Sequence, residues 1–274
     1  MSELELPSIV GVLGLSPLGA AIARRLAAKG IRIAAYDADR INRARLADAS
    51  PLIEIAATLA DIGHDCNVVI STLDGGALAA IMVGSRDEPG LGLLMAPGAL
   101  VIDMGASAPH DARRLAFVLG SRGIALVDAP ALGTPDDATA NTLSIPLGGF
   151  PDFVARATPL LQLFGTVAPT GQIGSGHTLA ALLVAKADAE ARITAEFTAL
   201  AAAAGLPPAN TSRMRPAAMP PVASHPSHLG ERAGVSGQDG REDPATAIRL
   251  AVARSLVEQY GIDTHALLAS VHAA

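Results

Sequence analysis

The chain has 274 residues, enough for one large domain or two of ordinary size, and its residues are 50% hydrophobic but only 3% aromatic. A net charge of −6 offers no general attraction to nucleic acid or to an anionic membrane surface, which excludes both as expected partners. The one cysteine, Cys66, excludes an internal disulfide and is typical of a reducing compartment.

The first predicted element is a buried parallel strand over residues 9–12, because its β-branched side chains suit a strand covered on both faces. This strand ends at Gly14. Ser16 and Pro17 are typical of a helix start, with a hydroxyl at the N-cap and proline at the first helical position. Apolar residues at helical spacing continue to Gly30, where the predicted helix ends.

A second strand over residues 31–36 ends at Asp37. A strand, a glycine turn, a helix, a strand and an acid, in this order, are the layout of a dinucleotide-binding site. Free amides at the helix N-terminus hold the pyrophosphate there, and the acid binds a ribose hydroxyl. The sequence therefore predicts a cofactor site formed by Gly14, Leu15, Ser16, Pro17, Leu18, Gly19 and Asp37.

Alternatives exist for this turn and for its cofactor. Ser16 stands where the G-x-G-x-x-G pattern has its middle glycine, and a glycine-rich turn that binds nothing is the alternative to a cofactor site. Asp37 favours NAD over NADP, because a carboxylate repels the 2′-phosphate. Arg40, Arg43 and Arg45 follow and would accept that phosphate, unless they form an exposed helix face.

Strands and helices continue to alternate to about residue 168. Further strands are predicted at residues 68–73, 99–103, 124–127 and 142–147 and around Val167, and further helices at residues 39–48, 77–83, 109–120 and 151–164. This alternation predicts an α/β fold that begins with a Rossmann-type, doubly wound and mostly parallel sheet.

The character of the sequence changes after residue 176. Residues 177–204 contain neither Gly nor Pro and are rich in helix formers, which predicts a helix about 40 Å long. Residues 206–243 are rich in Pro, Gly and Ser and indicate a long loop or linker. Two more helices are predicted at residues 245–259 and 264–272.

These segments predict an NAD(P)-binding domain at residues 1–170 and a smaller all-α domain at residues 171–274, led by the long interdomain helix. Because so thin a helical domain has little core of its own, we expect a homodimer through the C-terminal helices. The first five residues lack the basic flank and apolar segment of a signal peptide, and no uncharged apolar run of about 20 residues occurs. A cytoplasmic protein is therefore expected.

Five segments of the chain carry motifs that occur together. They are residues 11–19, similar to G-x-I-G-L-G-x-M-G; residues 68–74, similar to D-V-V-I-x-M-L-P; residues 97–109, similar to P-G-x-x-V-I-D-x-S-T-x-x-P; residues 128–133, similar to D-A-P-V-S-G-G; and residues 141–149, similar to G-T-L-T-I-M-V-G-G. In this order they resemble the β-hydroxyacid dehydrogenase family, which includes 3-hydroxyisobutyrate dehydrogenases, 6-phosphogluconate dehydrogenases and imine reductase relatives. The resemblance spans about residues 8–177 and fades beyond Gly205.

The resemblance implies an NAD(P)-dependent oxidoreductase with a Rossmann domain. Its cofactor would exchange a hydride with a small-molecule substrate, either an alcohol and its carbonyl or an imine. It also places Thr72, Leu73, Asp74 and Ala106 at the cofactor. Asp74 stands where the family has proline, and it would either bond a cofactor hydroxyl or cap the turn.

The chain departs from the family at several positions that carry its chemistry. The family's catalytic lysine lies in G-x-G-x-x-x-K-x-x-N, and Ala180 and Leu183 stand at the lysine and asparagine positions. Leu132 replaces a substrate-binding serine, and the pair Gly105-Ala106 replaces Ser-Thr. The group that would exchange a proton with the substrate oxygen is therefore missing, and the substrate pocket is expected to be less polar.

Hydride transfer still needs a proton donor or acceptor within hydrogen-bond reach of the substrate oxygen. His177 lies three residues before Ala180, on roughly the same helix face, and is the candidate catalytic residue because imidazole titrates near neutrality. The alternative is that His177 is a solvent-exposed residue of the first helical turn. Asp188 is a second candidate, about 80° around the helix from Ala180.

Two classes of function follow from these residues. The first is an NAD(P)-dependent oxidoreductase with atypical acid–base residues, and the second is a catalytically silent cofactor-binding or protein-interaction homologue. His225 and His228 have metal-like spacing, but no nearby cysteine or acidic cluster completes four ligands. A solvated loop explains these histidines, and no metal is predicted.

Overall fold

The computed structural model describes residues 6–207, in which strands and helices alternate. The strands are β1 (Ile9–Leu13), β2 (Arg32–Tyr36), β3 (Ile53–Ile55), β4 (Val68–Ser71), β5 (Leu100–Asp103), β6 (Ala125–Asp128), β7 (Leu143–Gly148) and β8 (Gly165–Gly171). The helices are α1 (Pro17–Ala28), α2 (Arg40–Leu46), α3 (Leu59–Asp65), α4 (Gly75–Val83), α5 (Leu91–Leu94), α6 (Pro109–Gly120), α7 (Pro135–Ala140), α8 (Pro151–Leu161) and α9 (Ser175–Ala203).

The strands form one sheet in the order β3-β2-β1-β4-β5-β6-β7-β8. Neighbouring strands are parallel except for β6 and β7, which run antiparallel. The winding reverses at β1, because β2 and β3 lie on one side of it and β4 to β6 on the other. The α/β, doubly wound and mostly parallel sheet is therefore confirmed, and the crevice beyond the carboxyl ends of β1 and β4 is its switch point.

Helices cover both faces of the sheet, which explains why its strands are apolar on both sides. Alternate strand residues enter two different cores: Val12 packs in the core that contains α1, α7 and α8, whereas Leu13 packs in the one that contains α3 to α6. Both cores are almost entirely aliphatic, as the composition predicts. Cys66 is buried in the second core, and burial raises the pKa of its thiol to about 11.

The predicted elements with clear periodicity are present, and four short ones were missed. The missed elements are β3, α3, α5 and α7, each of three to seven residues. Segments of this length are too short to show a period in the sequence. At the start of α1, Ser16 occupies the N-cap position, but its side chain makes no capping hydrogen bond, so the hydroxyl cap expected there is not formed.

The long helix α9 is present as expected, but the division of the chain falls within it. One compact unit ends at Leu183, and the second begins at Val184. The boundary between residues 170 and 171 and the all-α domain stay predictions. The predicted helices at residues 245–259 and 264–272, and nearly all of the loop at residues 206–243, lie outside the described residues. Within residues 6–207, no helix combines the length and hydropathy that crossing a bilayer requires.

Candidate functional site

The glycine turn after β1 requires both of its outer glycines. Gly14 has φ of +84°, a left-handed conformation that suits glycine, and its N–H donates to the Tyr36 carbonyl over 2.9 Å. A Cβ on Gly19 would collide with the Gly14 carbonyl oxygen and lie 2.7 Å from Thr72 Oγ1. The first turn of α1 therefore lies directly on the end of β1. The amides of Leu18 and Gly19 in this turn have no earlier helical carbonyl to bind, so they could hold an anion.

Asp37 supports this turn from the end of β2. Its Oδ2 accepts hydrogen bonds from the Leu15 amide at 2.6 Å and from Asn42 Nδ2 at 3.1 Å, and its Oδ1 accepts from the Asp39 amide at 2.7 Å. The residue is only 8% exposed. Arg43 Nη1 donates to the Asp37 carbonyl oxygen over 2.8 Å. A carboxylate and a guanidinium thus lie together at the position expected for the cofactor's ribose.

The turns after β4 and β5 pack against the glycine turn. Thr72 Oγ1 donates to the Gly14 carbonyl oxygen over 2.9 Å, and the Gly75 amide donates to the Ala106 carbonyl oxygen over 3.0 Å. A Cβ on Gly105 would collide with the Leu73 carbonyl oxygen, so only glycine permits this approach. The structure therefore brings the predicted cofactor residues of β1, β4 and β5 to one continuous surface at the switch point. Glycines that allow two backbones to touch are what such a cofactor site requires.

Asp74 is the N-cap residue of α4. Its Oδ1 accepts a hydrogen bond from the Ala77 amide at 2.8 Å. Of the two roles expected for this residue, capping the turn is therefore the one observed.

His177 lies buried beneath this surface. It is 3% exposed, so the expectation of a solvent-exposed residue in the first helical turn is wrong. The reason is that the start of α9 rests on the carboxyl ends of β5 and β6 instead of facing solvent. His177 Nε2 lies 3.0 Å from Asp103 Oδ2, and both side chains are 2% exposed.

Asp103 receives two further donors. Ser107 Oγ donates to Oδ2 over 2.7 Å, and the Gly105 amide donates to Oδ1 over 3.1 Å. A carboxylate accepts all three bonds when His177 carries its proton on Nε2. Sequence reasoning missed Asp103 and Ser107. Their signal was an acid that ends a buried strand with a hydroxyl residue four positions later.

A second buried acid, Asp128, holds the backbone of α9. Its Oδ1 accepts from the Gly174 amide at 2.8 Å and its Oδ2 from the His177 amide at 2.9 Å. Burial raises the pKa of this carboxyl, although the two amide bonds act in the opposite direction. Two acids at the ends of neighbouring strands thus bind the first turn of α9. Ala180 follows one turn later and is 7% exposed.

The other predicted site groups lie elsewhere. Asp188 is exposed, and one of its oxygens is 4.0 Å from Arg192 Nη1. Among residues 6–207, no three His, Cys, Asp or Glu side chains are placed to share a metal ion, and His225 and His228 lie outside these residues. A cavity of about 560 Å³ is lined by residues of β8 and α9, among them Thr178 and Leu182, and none of its lining residues is a predicted cofactor residue.

Comparison with known proteins agrees with this geometry. Residues 9–174 match the family model of the NAD-binding domain of 6-phosphogluconate dehydrogenase. The chain is 32% identical over 218 residues to 3-hydroxyisobutyrate dehydrogenase of Pseudomonas aeruginosa, covering 75% of this chain and 68% of that protein. It is 29% identical over 193 residues to NAD-dependent L-serine dehydrogenase of the same organism, covering 66% and 63%. It thus spans about two thirds of the length of these relatives.

A solved structure shares the fold. The V8 variant of the imine reductase from Myxococcus stipitatus, in complex with NAD+, superimposes with a TM-score of 0.67 at 16% identity. The superposition covers 76% of this chain and 70% of that one.

Proposed function

The chain belongs to the β-hydroxyacid dehydrogenase family, and we propose that it is an NAD-dependent oxidoreductase acting on a small alcohol, carbonyl or imine. The observation that carries this proposal is the single surface that the turns after β1, β4 and β5 form at the switch point. A nicotinamide cofactor bound there would supply the hydride acceptor or donor.

The residues present fit such a cofactor. The amides of Leu18 and Gly19 would bind its pyrophosphate. Gly19 has no Cβ, so the first turn of α1 can lie directly against the Gly14 carbonyl oxygen and present these amides at the end of β1. Asp37 would bind the ribose hydroxyls beside the turn. The turn residues Thr72, Leu73 and Ala106 would support the nicotinamide half.

Asp37 is proposed to select NAD over NADP. Replacing it by serine should lower the ratio of NADPH to NADH dissociation constants about 10-fold, equivalent to about 1.4 kcal/mol. Removal of the carboxylate ends its repulsion of the 2′-phosphate and leaves Arg43 beside that position. Fluorescence titration with each cofactor measures the ratio. Any damage to the turn would weaken the binding of both cofactors, so it would cancel in the ratio of the two dissociation constants.

Asp39→Ser is the matched control for this prediction. Asp39 lies two residues along the chain and caps α2 by accepting from the Ile41 amide at 2.7 Å, a role that serine also performs. The ratio should stay within about 2-fold of the wild-type value in this variant. A ratio unaltered by Asp37→Ser, or altered equally by Asp39→Ser, would show that Asp37 does not select the cofactor.

The substrate class is proposed from two positions at which the chain departs from the family, Ala106 and Ala180. Ala106 is exposed at the surface of the site, and Ala180 offers a methyl group where the resemblance places an ammonium group. Small hydroxycarboxylates therefore find fewer polar partners here than less polar alcohols or cyclic imines do. His177, the candidate acid–base residue from the sequence, is buried and is therefore not placed to touch the substrate.

A spectrophotometric screen tests the function. Purified protein is mixed with NADH and a panel of aldehydes, ketones and cyclic imines, and with NAD+ and the matching alcohols and amines, while absorbance at the reduced nicotinamide band is followed. Turnover of any compound in the panel supports the proposal that the chain is an oxidoreductase. Saturable NADH binding without turnover of any class would favour the catalytically silent homologue.

A cytoplasmic homodimer is part of the same proposal, and sedimentation at several concentrations checks the dimer.

A further inference from the structure

The buried cluster of Ser107, Asp103 and His177 joins the surface of the site to the protein interior. Ser107 is half-buried and follows Ala106, which is exposed. Asp103 and His177 lie behind it and are almost fully buried. The half-buried hydroxyl is thus connected to the buried carboxylate over 2.7 Å, and that carboxylate to the buried imidazole over 3.0 Å.

The hydroxyl of Ser107 lies against the first residue of α4. A Cβ on Gly75 would lie only 2.8 Å from Ser107 Oγ, so the absence of a side chain at Gly75 is what lets this hydroxyl fit here. The Gly75 amide also bonds to the Ala106 carbonyl oxygen, so Ser107 adjoins the turn that would support the nicotinamide half. Because the hydroxyl proton points to Asp103, the lone pairs of Ser107 Oγ are left to accept a proton from another group.

We propose that Ser107 is a catalytic residue that exchanges a proton with the substrate oxygen or nitrogen, and that Asp103 is the base behind it. This inference rests on the proposed oxidoreductase function. It supplies the proton exchange that the alanine at position 180 cannot perform. His177 is a positioning residue, since its Nε2–H fixes the Asp103 oxygen that faces Ser107.

The step balances in both directions. In oxidation, the substrate O–H bond breaks and its proton moves to Ser107 Oγ, while the former Ser107 proton moves to Asp103 Oδ2. The substrate C–H bond breaks at the same time, and an oxidised nicotinamide bound at the site would accept its hydrogen and electron pair as hydride. After the product leaves, the proton on Asp103 returns through Ser107 to water. Reduction is the reverse, with Asp103 as the final proton donor.

Ser107→Ala tests the relay, because it removes one hydroxyl and no buried charge. We expect kcat to fall at least 100-fold, in line with the usual contribution of general acid–base catalysis, while the NADH dissociation constant changes less than about 2-fold. Ser107→Thr restores a hydroxyl and should recover kcat to within about 10-fold of wild type.

Thr158→Ala is the matched control. Thr158 is half-buried and its Oγ1 also donates over 2.7 Å, but to the Val154 carbonyl within α8. Its kcat should stay near the wild-type value. An unchanged kcat in Ser107→Ala, with wild-type turnover present, overturns the relay and leaves the proposed function standing. Absence of turnover in wild type while NADH binds contradicts the function, and the relay with it.

The positioning role of His177 is separated from direct catalysis by two substitutions. His177→Gln keeps an N–H donor near the position of Nε2 and should retain most of kcat, whereas His177→Leu removes the donor and should lower it about 10-fold or more. Nitrogen-15 NMR of the imidazole provides a readout without turnover, with a protonated Nε2 expected in the free protein. Equal losses of kcat in both variants would instead make His177 the acid itself.

Discussion

Gly19→Ala should raise the NADH dissociation constant about 100-fold, equivalent to about 2.7 kcal/mol. The added methyl group would collide with the Gly14 carbonyl oxygen and press on Thr72 Oγ1 from 2.7 Å. Neither neighbour is the free end of a flexible side chain, since Thr72 Oγ1 is itself bonded to that carbonyl. Helix α1 must therefore move away from the end of β1, which displaces the amides that would bind pyrophosphate. Overpacking of this kind costs about 1–3 kcal/mol of stability as well.

Gly120→Ala is the control for this prediction. Gly120 is the last residue of α6, and a Cβ there would meet no atom within 4 Å. Its NADH affinity should match wild type, and its melting temperature should be equal or higher because alanine favours helix by up to about 1 kcal/mol. Wild-type affinity in Gly19→Ala would mean that the cofactor does not use this turn.

Asp128→Asn should lower the free energy of unfolding by about 3 kcal/mol. The carboxylate accepts one amide on each oxygen, from Gly174 and from His177. Asparagine offers one acceptor, and its NH2 group must face the other amide, which leaves two buried donors opposed. The first turn of α9 then loses half of its attachment to β6. Urea unfolding followed by circular dichroism measures the difference from wild type.

Asp152→Asn serves as the control for Asp128→Asn. Asp152 is exposed in the first turn of α8, where its interaction with the helix dipole contributes less than about 1 kcal/mol. Asp152→Asn should therefore lower the free energy of unfolding only slightly. A loss as large as that of Asp128→Asn would show that removal of any helix-terminal carboxylate destabilises the chain.

The sequence was sufficient to predict the strand, glycine turn and helix at residues 9–28, because the signal for them is local. Gly14, Gly19 and Asp37 fall within one strand-helix-strand unit, and each has a backbone or charge requirement that can be read from its position. The short elements β3, α3, α5 and α7 gave no such signal. They form because neighbouring segments bury their few apolar residues, as Ile62 of α3 does in the second core.

The acid–base cluster could not be derived in the same way. His177 and Asp103 are 74 residues apart, and only the docking of α9 on the sheet brings them together. The same docking buries His177, which the helical pattern alone placed in solvent. Ser107 escaped notice because it stands at an unspecified position of the motif over residues 97–109, directly after Gly105 and Ala106, which replace the hydroxyl pair of that motif. Asp37 shows the opposite case, since its position predicted a site but not the three bonds that brace the turn.

Titration of the wild-type protein with NADH and, separately, NADPH tests the central claim most directly. The chain contains no tryptophan, so protein emission interferes little with nicotinamide fluorescence. We predict saturable binding of NADH, weaker binding of NADPH, and loss of both in Gly19→Ala. Failure of either cofactor to bind the wild-type protein at millimolar concentration would contradict the account, and the turn around Ser16 would then be a glycine-rich turn that binds nothing.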